Sequence, residues 1–366
     1  MLYTLNDISI IPAVISNIKS RKECNPYNNN MLPIFTAPMS SIIDENNYEL
    51  FQENKINTII PRNIPIETRL SLMHDTFIAV SLDEFEKYFC QNAIIRGIMN
   101  VCVDVANGHM QRLLDLCKVA KQYWGDNLQL MTGNVANPET YLEYAKIGID
   151  YIRLGIGSGN VCTTSANNGI HYPMASLISK CVKHKSELLH FKNNTYNRFE
   201  TNGFKSIPKI VADGGFQNYD QIIKALALGA DYVMLGGIFA KCWEACGEIK
   251  FNVPMCTENE AMSYQCLYPN AKLYVAETKE VEFTLTRNYF GMSTKEAQKL
   301  FGKEGTTTAE GISKQVKIEY SLSGWIDNFV HYLRSTMSYT NCRTLEEFKK
   351  VKTEIISVQS FNSYYK

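Results

Sequence analysis

The sequence predicts an α/β protein of the (β/α)8 TIM-barrel class, with long insertions after strands six and eight. Three observations carry that expectation. Eight short apolar, often β-branched runs recur along the 366 residues, most of them starting about 20–28 residues apart. They are continuous rather than alternating, as strands are when helices cover both faces of a parallel sheet. The spacers carry helical periodicity, and no early GxGxxG supports the rival doubly wound sheet.

In chain order the runs are IFTA (34–37), NTII (57–60), FIAV (77–80), NVCVDV (100–105), LQLMT (128–132), YIRLG (151–155), KIVAD (209–213) and YVMLG (232–236). Helical patterns occupy 110–124, 138–148 and 218–229, the second opening on Pro138 in its first turn. Residues 156–208 and 237–366 break the rhythm. In a barrel these insertions follow the C-terminal ends of strands, where catalytic loops sit. Residues 247–287 show little periodicity and read as an excursion, and helical patterns return near 323–338 and 344–359. The expectation is one barrel domain over 1–366, with a catalytic cysteine loop at 157–175 and an excursion plus active-site flap at 241–320.

Apolar residues make up 45% and charged residues 20%, so a large core can be buried. Lys+Arg and Asp+Glu each number 37, and the zero net charge argues against a nucleic-acid surface. No uncharged apolar run approaches the roughly 20 residues of a membrane span. The opening MLYTLNDISIIPAV lacks the basic and long apolar regions of a secretion signal. The 11 cysteines are scattered and odd in number, which argues against a disulfide framework or a zinc site. A cytoplasmic protein is expected, its thiols mostly small buried hydrophobes and one of them available as a nucleophile.

Strand seven ends in Asp213-Gly214-Gly215 and strand eight in Gly236-Gly237. Glycines there let backbone N–H groups approach phosphate oxygens, and a following helix N-terminus adds its dipole; the bland reading is tight turns. Strand six runs into Gly155-Ile156-Gly157-Ser158-Gly159-Asn160-Val161-Cys162-Thr163-Thr164. A cysteine in a glycine-rich loop at the catalytic face is a candidate nucleophile, although a lone cysteine is more often core. Asp104 and Asn107, after strand four, can bind ribose or an amide, or form an Asx turn or helix cap. Tyr289-Phe290-Gly291-Met292-Ser293 and Ala309-Glu310-Gly311 suit the edge of a planar base or, more blandly, a turn and a core contact.

Taken together these segments resemble the IMP dehydrogenase / GMP reductase family over nearly the whole chain. The likeness starts at Leu32-Pro33 and Ala37-Pro38-Met39 and passes through Asp104–Gly108 and Gly133-Asn134-Val135. It continues through the cysteine loop, both glycine pairs, YFGMS and Glu310-Gly311, and ends at Leu333-Arg334-Ser335-Thr336. The resemblance implies a barrel that binds a purine nucleoside monophosphate and a nicotinamide cofactor. Cys162 would form a thioimidate at purine C2, with Thr164 and Glu310 as proton relay. It implies substrate contacts at Met39, Asn160, Asp213, Gly214, Gly215, Gly236, Gly237, Gly291, Met292, Ser293 and Gly311. Cofactor contacts are implied at Ser20, Arg21, Asp104, Val105, Ala106, Ile156, Gly157, Ser335 and Thr336, the last two from a neighbouring subunit of a homotetramer. Carbonyls of Gly157, Gly159 and Cys162 are implied as potassium ligands.

Within the family the chain is more similar to GMP reductase, and NADPH is the implied reductant. Residues 61–76, between strands two and three, leave no room for the regulatory CBS modules of most IMP dehydrogenases. Residues 293–309 contain no Arg to form the dehydrogenase's Arg-Tyr pair. The chain departs from the family with Ser158 and Asn160 where the loop has Pro and Ser, and with Thr307 where reductases have Arg. Ala37-Pro38-Met39 and Arg62-Asn63 look dehydrogenase-like. The alternatives are an IMP dehydrogenase lacking CBS modules, a reductase for a modified or deoxy purine nucleotide, and an inactive nucleotide-binding regulator.

Overall fold

The structure is a computed structural model and describes residues 1–91, 97–194, 206–280, 282–291, 294–300 and 311–356. Among these, eight parallel strands form the barrel: β1 (Ile34–Thr36), β2 (Ile59–Ile60), β3 (Phe77–Val80), β4 (Met99–Asp104), β5 (Leu128–Val135), β6 (Tyr151–Leu154), β7 (Lys209–Asp213) and β8 (Tyr232–Leu235). β1 pairs with β8. The ring closes where the Thr36 N–H donates to Asn57 O at 2.9 Å and the Asn57 N–H to Ile34 O at 3.0 Å. Every strand coincides with one of the eight apolar runs, because burial on both faces leaves its sequence apolar throughout.

The helices between strands follow ordinary capping rules. Asn137 caps Pro138–Ile147, which begins on Pro and ends at left-handed Gly148. Gln111–Trp124 and Tyr219–Ala227 fall where periodicity places them. Leu322–Tyr339 closes the outer layer, stacking Trp325 on Tyr219 with ring centroids 5.3 Å apart. The barrel end opposite the strand tips is plugged by Phe35, Phe77, Tyr151 and Tyr232, whose ring centroids lie 5.0–6.0 Å apart in the five close pairs.

Two segments differ from expectation. Within 344–356, the described part of the 344–359 pattern, one helical turn forms, Leu345–Phe348. Thr353–Ile355 is instead a strand antiparallel to Ile8–Ile10. Its β-branched residues find a strand partner from the other end of the chain, and that pairing overrides helical spacing. The 247–287 stretch is regular: β9 (Ile249–Val253), a helix (Glu258–Leu267), β10 (Lys272–Val275) and β11 (Thr284–Phe290), joined by β12 (Ser313–Lys317) in a four-stranded sheet. Phe251, Val253 and Ala271 form its own small buried cluster.

Arg287 fastens this sheet to the barrel. It is fully buried in the middle of β11, and its guanidinium donates to the carbonyls of Ala240 (3.0 Å), Cys242 (2.7 Å), Trp243 (3.3 Å) and Gly247 (3.3 Å). Burial pushes that guanidinium below its ordinary range. Arg287→Met strands these carbonyls, each of which costs about 1–3 kcal/mol when left unmade. A loss of at least about 3 kcal/mol is therefore expected in chemical denaturation, and Arg287→Lys should recover part of it.

Candidate active site

Parallel register brings Asp104 and Arg153 level near the strand tips, with Asp213 two residues further along β7. Asp104 aligns with Gly133, and Gly133 with Arg153. A register shift between Gly133 and Val135 takes Asn134 out of the ladder. Arg153 is buried at the end of β6, and it donates to Asp104 Oδ1 at 2.6 Å and to Asp213 Oδ2 at 2.8 and 3.2 Å. Asn134 Nδ2 also donates to Asp213 Oδ2, at 2.7 Å, and to Gly155 O at 2.9 Å. Burial opposes the Arg153 charge, but Asp213 and Asp104 hold the guanidinium well above its ordinary range. One cation thus fixes carboxylates from two different strands.

The cysteine loop packs onto this polar floor because glycine removes the obstacles. At Gly155, with φ +121°, an added Cβ would lie 2.5 Å from Asp213 O. Gly214 has φ +89° and presses against Ser158 and Gly159, where a Cβ would come within 2.9–3.3 Å. Ser158 Oγ donates to Asp213 O at 2.9 Å. The same absence of Cβ leaves the lining at both glycine pairs as bare backbone, as anion recognition requires. A one-turn helix, Gly237–Ala240, follows Gly236 directly, whereas the helix after Gly215 starts only at Tyr219.

Cys162 is half-buried in this loop, and its thiol donates to Thr164 Oγ1 at 3.3 Å. The excursion's return strand reaches the loop from above. Gly311 bridges Cys162, and the Ile312 N–H donates to Val161 O at 2.9 Å. Six of the other ten thiols are buried; burial pushes Cys102 up to about 12 and Cys90 up to about 11, which leaves them poor nucleophiles. No disulfide joins any of the eleven cysteines.

A cavity of about 590 Å³ collects these groups. It is lined by Cys162, Thr164, Met39, Asn160, Asp213, Gly214, Gly215, Gly236, Gly237, Gly291 and Gly311, and by Asp104, Val105, Ala106, Ile156, Gly157 and Gly159. Met292, Ser293 and Glu310 lie outside the described residues. Ser20, Arg21, Ser335 and Thr336 do not reach the cavity of their own chain. Ser20 caps the short turn Arg21–Glu23, and Arg21 sits 2.7 Å from His331 Nε2 on the helix that carries Ser335 and Thr336. After strand four the two readings divide: Asp104 lines the cavity, whereas Asn107 Oδ1 accepts the His109 N–H in an Asx turn.

Residue-by-residue reading of the sequence assigned no site role to Arg153, Arg62 or Gln298, which also line the cavity, whereas Tyr289 lines it as its motif suggested. A charge inside the otherwise apolar run YIRLG was the available signal for Arg153. Of the carbonyls implied as potassium ligands, Gly157 O accepts from Ser165 Oγ (2.9 Å) and Gly159 O from the Cys162 N–H (3.0 Å), which leaves each a second lone pair.

Residues 41–363 match the model of the IMP dehydrogenase / GMP reductase domain. The chain belongs to that family. It is 29% identical over 267 residues to an inosine-5'-monophosphate dehydrogenase of Chlorobaculum tepidum, covering 73% of this chain and 47% of that protein. It is 27% identical over 378 residues to a GMP reductase of Shouchella clausii, covering 99% and 97% respectively. A GMP reductase of Vibrio vulnificus is 24% identical over 346 residues. The chain thus spans about half the length of the Chlorobaculum dehydrogenase and nearly all of the Shouchella reductase. The IMP dehydrogenase / GMP reductase family is one of oxidoreductases of purine metabolism. Among the described residues no helix is long and apolar enough to cross a membrane.

Arg153→Met should destabilise the fold by about 3–5 kcal/mol at neutral pH, because it leaves two carboxylates in the barrel mouth without their counter-charge. Denaturant titration measures this loss. Arg153→Lys keeps the charge but lacks the fork that reaches both partners, so an intermediate stability is expected.

Proposed function

We propose that the chain is an NADPH-dependent GMP reductase, converting GMP, NADPH and a proton into IMP, ammonia and NADP+. The observation that carries this reading is the Cys162 thiol, 3.3 Å from Thr164 Oγ1, in one cavity with both glycine pairs. Three features favour reductase over dehydrogenase. They are the lack of Arg in 293–309, the absence of an insertion between β2 and β3, and alignment with 97% of a GMP reductase.

In this reading Asp213 accepts the ribose hydroxyls, and Gly214, Gly215, Gly236, Gly237 and Asn160 donate to the 5'-phosphate. Met39, Gly291, Met292, Ser293 and Gly311 border the base. The Cys162 thiolate adds to purine C2 as the ring is protonated, forming the C–S bond. Thr164 and Glu310 deliver a proton to the 2-amino group, because an amine leaves poorly until protonated. The C2–N bond then breaks and ammonia departs, leaving a thioimidate on Cys162. The return strand across the cysteine loop keeps water from that carbon, which would otherwise hydrolyse to the 2-oxo product.

The residues at Asp104, Val105, Ala106, Ile156 and Gly157 fit a nicotinamide ring. They combine flat apolar walls with an Asp104 carboxylate of which Arg153 occupies one oxygen. The cofactor, when bound there, supplies the hydride that C2 accepts as the C–S bond breaks and the thiolate returns. Ser20, Arg21, Ser335 and Thr336 serve the far end of a cofactor held by a neighbouring copy, which requires a homo-oligomer, a tetramer in this reading.

Incubation with GMP and NADPH should release one ammonia per NADPH consumed. Cys162→Ser should lower kcat by at least about 10⁴-fold while GMP still binds. Rapid XMP formation from IMP and NAD, with no ammonia from GMP, would establish a dehydrogenase instead. Tight GMP binding without NADPH oxidation would establish a regulator, and faster turnover of another purine monophosphate would move the substrate.

A further inference from the structure

The phosphate cradle proposed above consists of neutral donors, and among the described residues the cationic side chains lining the cavity are directed elsewhere. Arg153 is held by Asp104 and Asp213, and Arg62 donates to Asp104 O at 3.0 Å on the β4 side. A dianionic phosphate bound by amides and glycine N–H groups alone lacks a counter-charge.

The return strand supplies one. In the antiparallel β11–β12 pair, Lys314 lies directly opposite Tyr289, so the two side chains leave the sheet on the same face. That face meets the glycines. Tyr289 is 5% exposed, and its hydroxyl would lie 2.7 Å from a Cβ placed on Gly236. Lys314 Nζ donates to Asn160 O at 3.0 Å. The Asn160 side chain reaches within 3.5 Å of the Cβ position of Gly237, and its Oδ1 accepts from Gln217 Nε2 at 3.3 Å. An ammonium, an amide and two glycine pairs therefore converge from four segments of chain.

We propose that Lys314 is a specificity residue for the 5'-phosphate, the cation that makes this site prefer a nucleoside monophosphate to the nucleoside. The inference rests on the GMP reading above for the identity of the base, and on the β11–β12 register for the position of the charge. With phosphate bound, the ammonium turns from Asn160 O to a phosphate oxygen a few ångströms away. The contact is charge-assisted and made at a half-open rim, which sets its size at about a tenfold effect on affinity. Lys314 stands three positions after Gly311, so the strand that covers Cys162 also carries the phosphate's counter-charge.

The test is calorimetric binding of GMP and of guanosine to wild type, Lys314→Met and Lys314→Arg. Lys314→Met should weaken GMP about tenfold and change guanosine by less than about twofold, with Lys314→Arg restoring most of the loss. Raised salt should narrow the wild-type preference for GMP. An unchanged GMP affinity in Lys314→Met overturns the inference. So does an equal loss for both ligands, which would make Lys314 a tether of the loop, or a wild type that binds GMP no better than guanosine. If wild type binds GMP tightly without oxidising NADPH, the reductase reading fails while the Lys314 result still stands or falls by itself.

Discussion

The barrel mouth depends on one buried cation. Arg153 sits at the tip of β6 with its guanidinium shared between Asp104 of β4 and Asp213 of β7. Two carboxylates facing a common cavity would otherwise repel each other and draw in water. The bridge engages one oxygen of each, Oδ1 of Asp104 and Oδ2 of Asp213. Asn134, taken out of its ladder by the β5 irregularity, makes the second contact on Asp213 and ties the start of the cysteine loop to the same centre. The start of the cysteine loop is therefore held by a charge balance as well as by hydrophobic packing.

Above that floor the site is closed by a sheet that is not part of the barrel. Arg287 anchors it through main-chain carbonyls instead of a carboxylate, so the attachment orients the strand by direction as well as by charge. Once β11 is fixed, antiparallel pairing fixes β12, and β12 carries Gly311 to Cys162 and Lys314 to Asn160. The contacts at Cys162 and at Asn160 are in this way mounted on a single strand pair.

The apolar runs announced all eight barrel strands because a strand buried on both faces has no polar alternation to obscure it. The excursion was illegible for the converse reason. In β11 the inward positions are Leu285, Arg287 and Tyr289, and a buried arginine at the centre breaks the alternation that marks a half-buried strand. At 344–359 the helical spacing was genuine, but Thr353–Ile355 found a strand partner near the N-terminus, which local propensity cannot anticipate.

Sequence by itself determined the barrel, the order of the loops that line the cavity, the cysteine among glycines and the paired glycines at two adjacent strand tips. These are local facts: each follows from a residue's own backbone freedom or from the spacing of apolar side chains. Tertiary structure alone decided that Arg153 joins Asp104 to Asp213, that Arg287 holds the outer sheet, and that Lys314 arrives beside the glycines. It also divided Asp104 from Asn107, turning one to the cavity and the other to an Asx turn. The three long-range outcomes depend on strand register and on partners between roughly 40 and 155 positions away in the chain, and polar pairing over such separations leaves no periodic trace in the residues that make it.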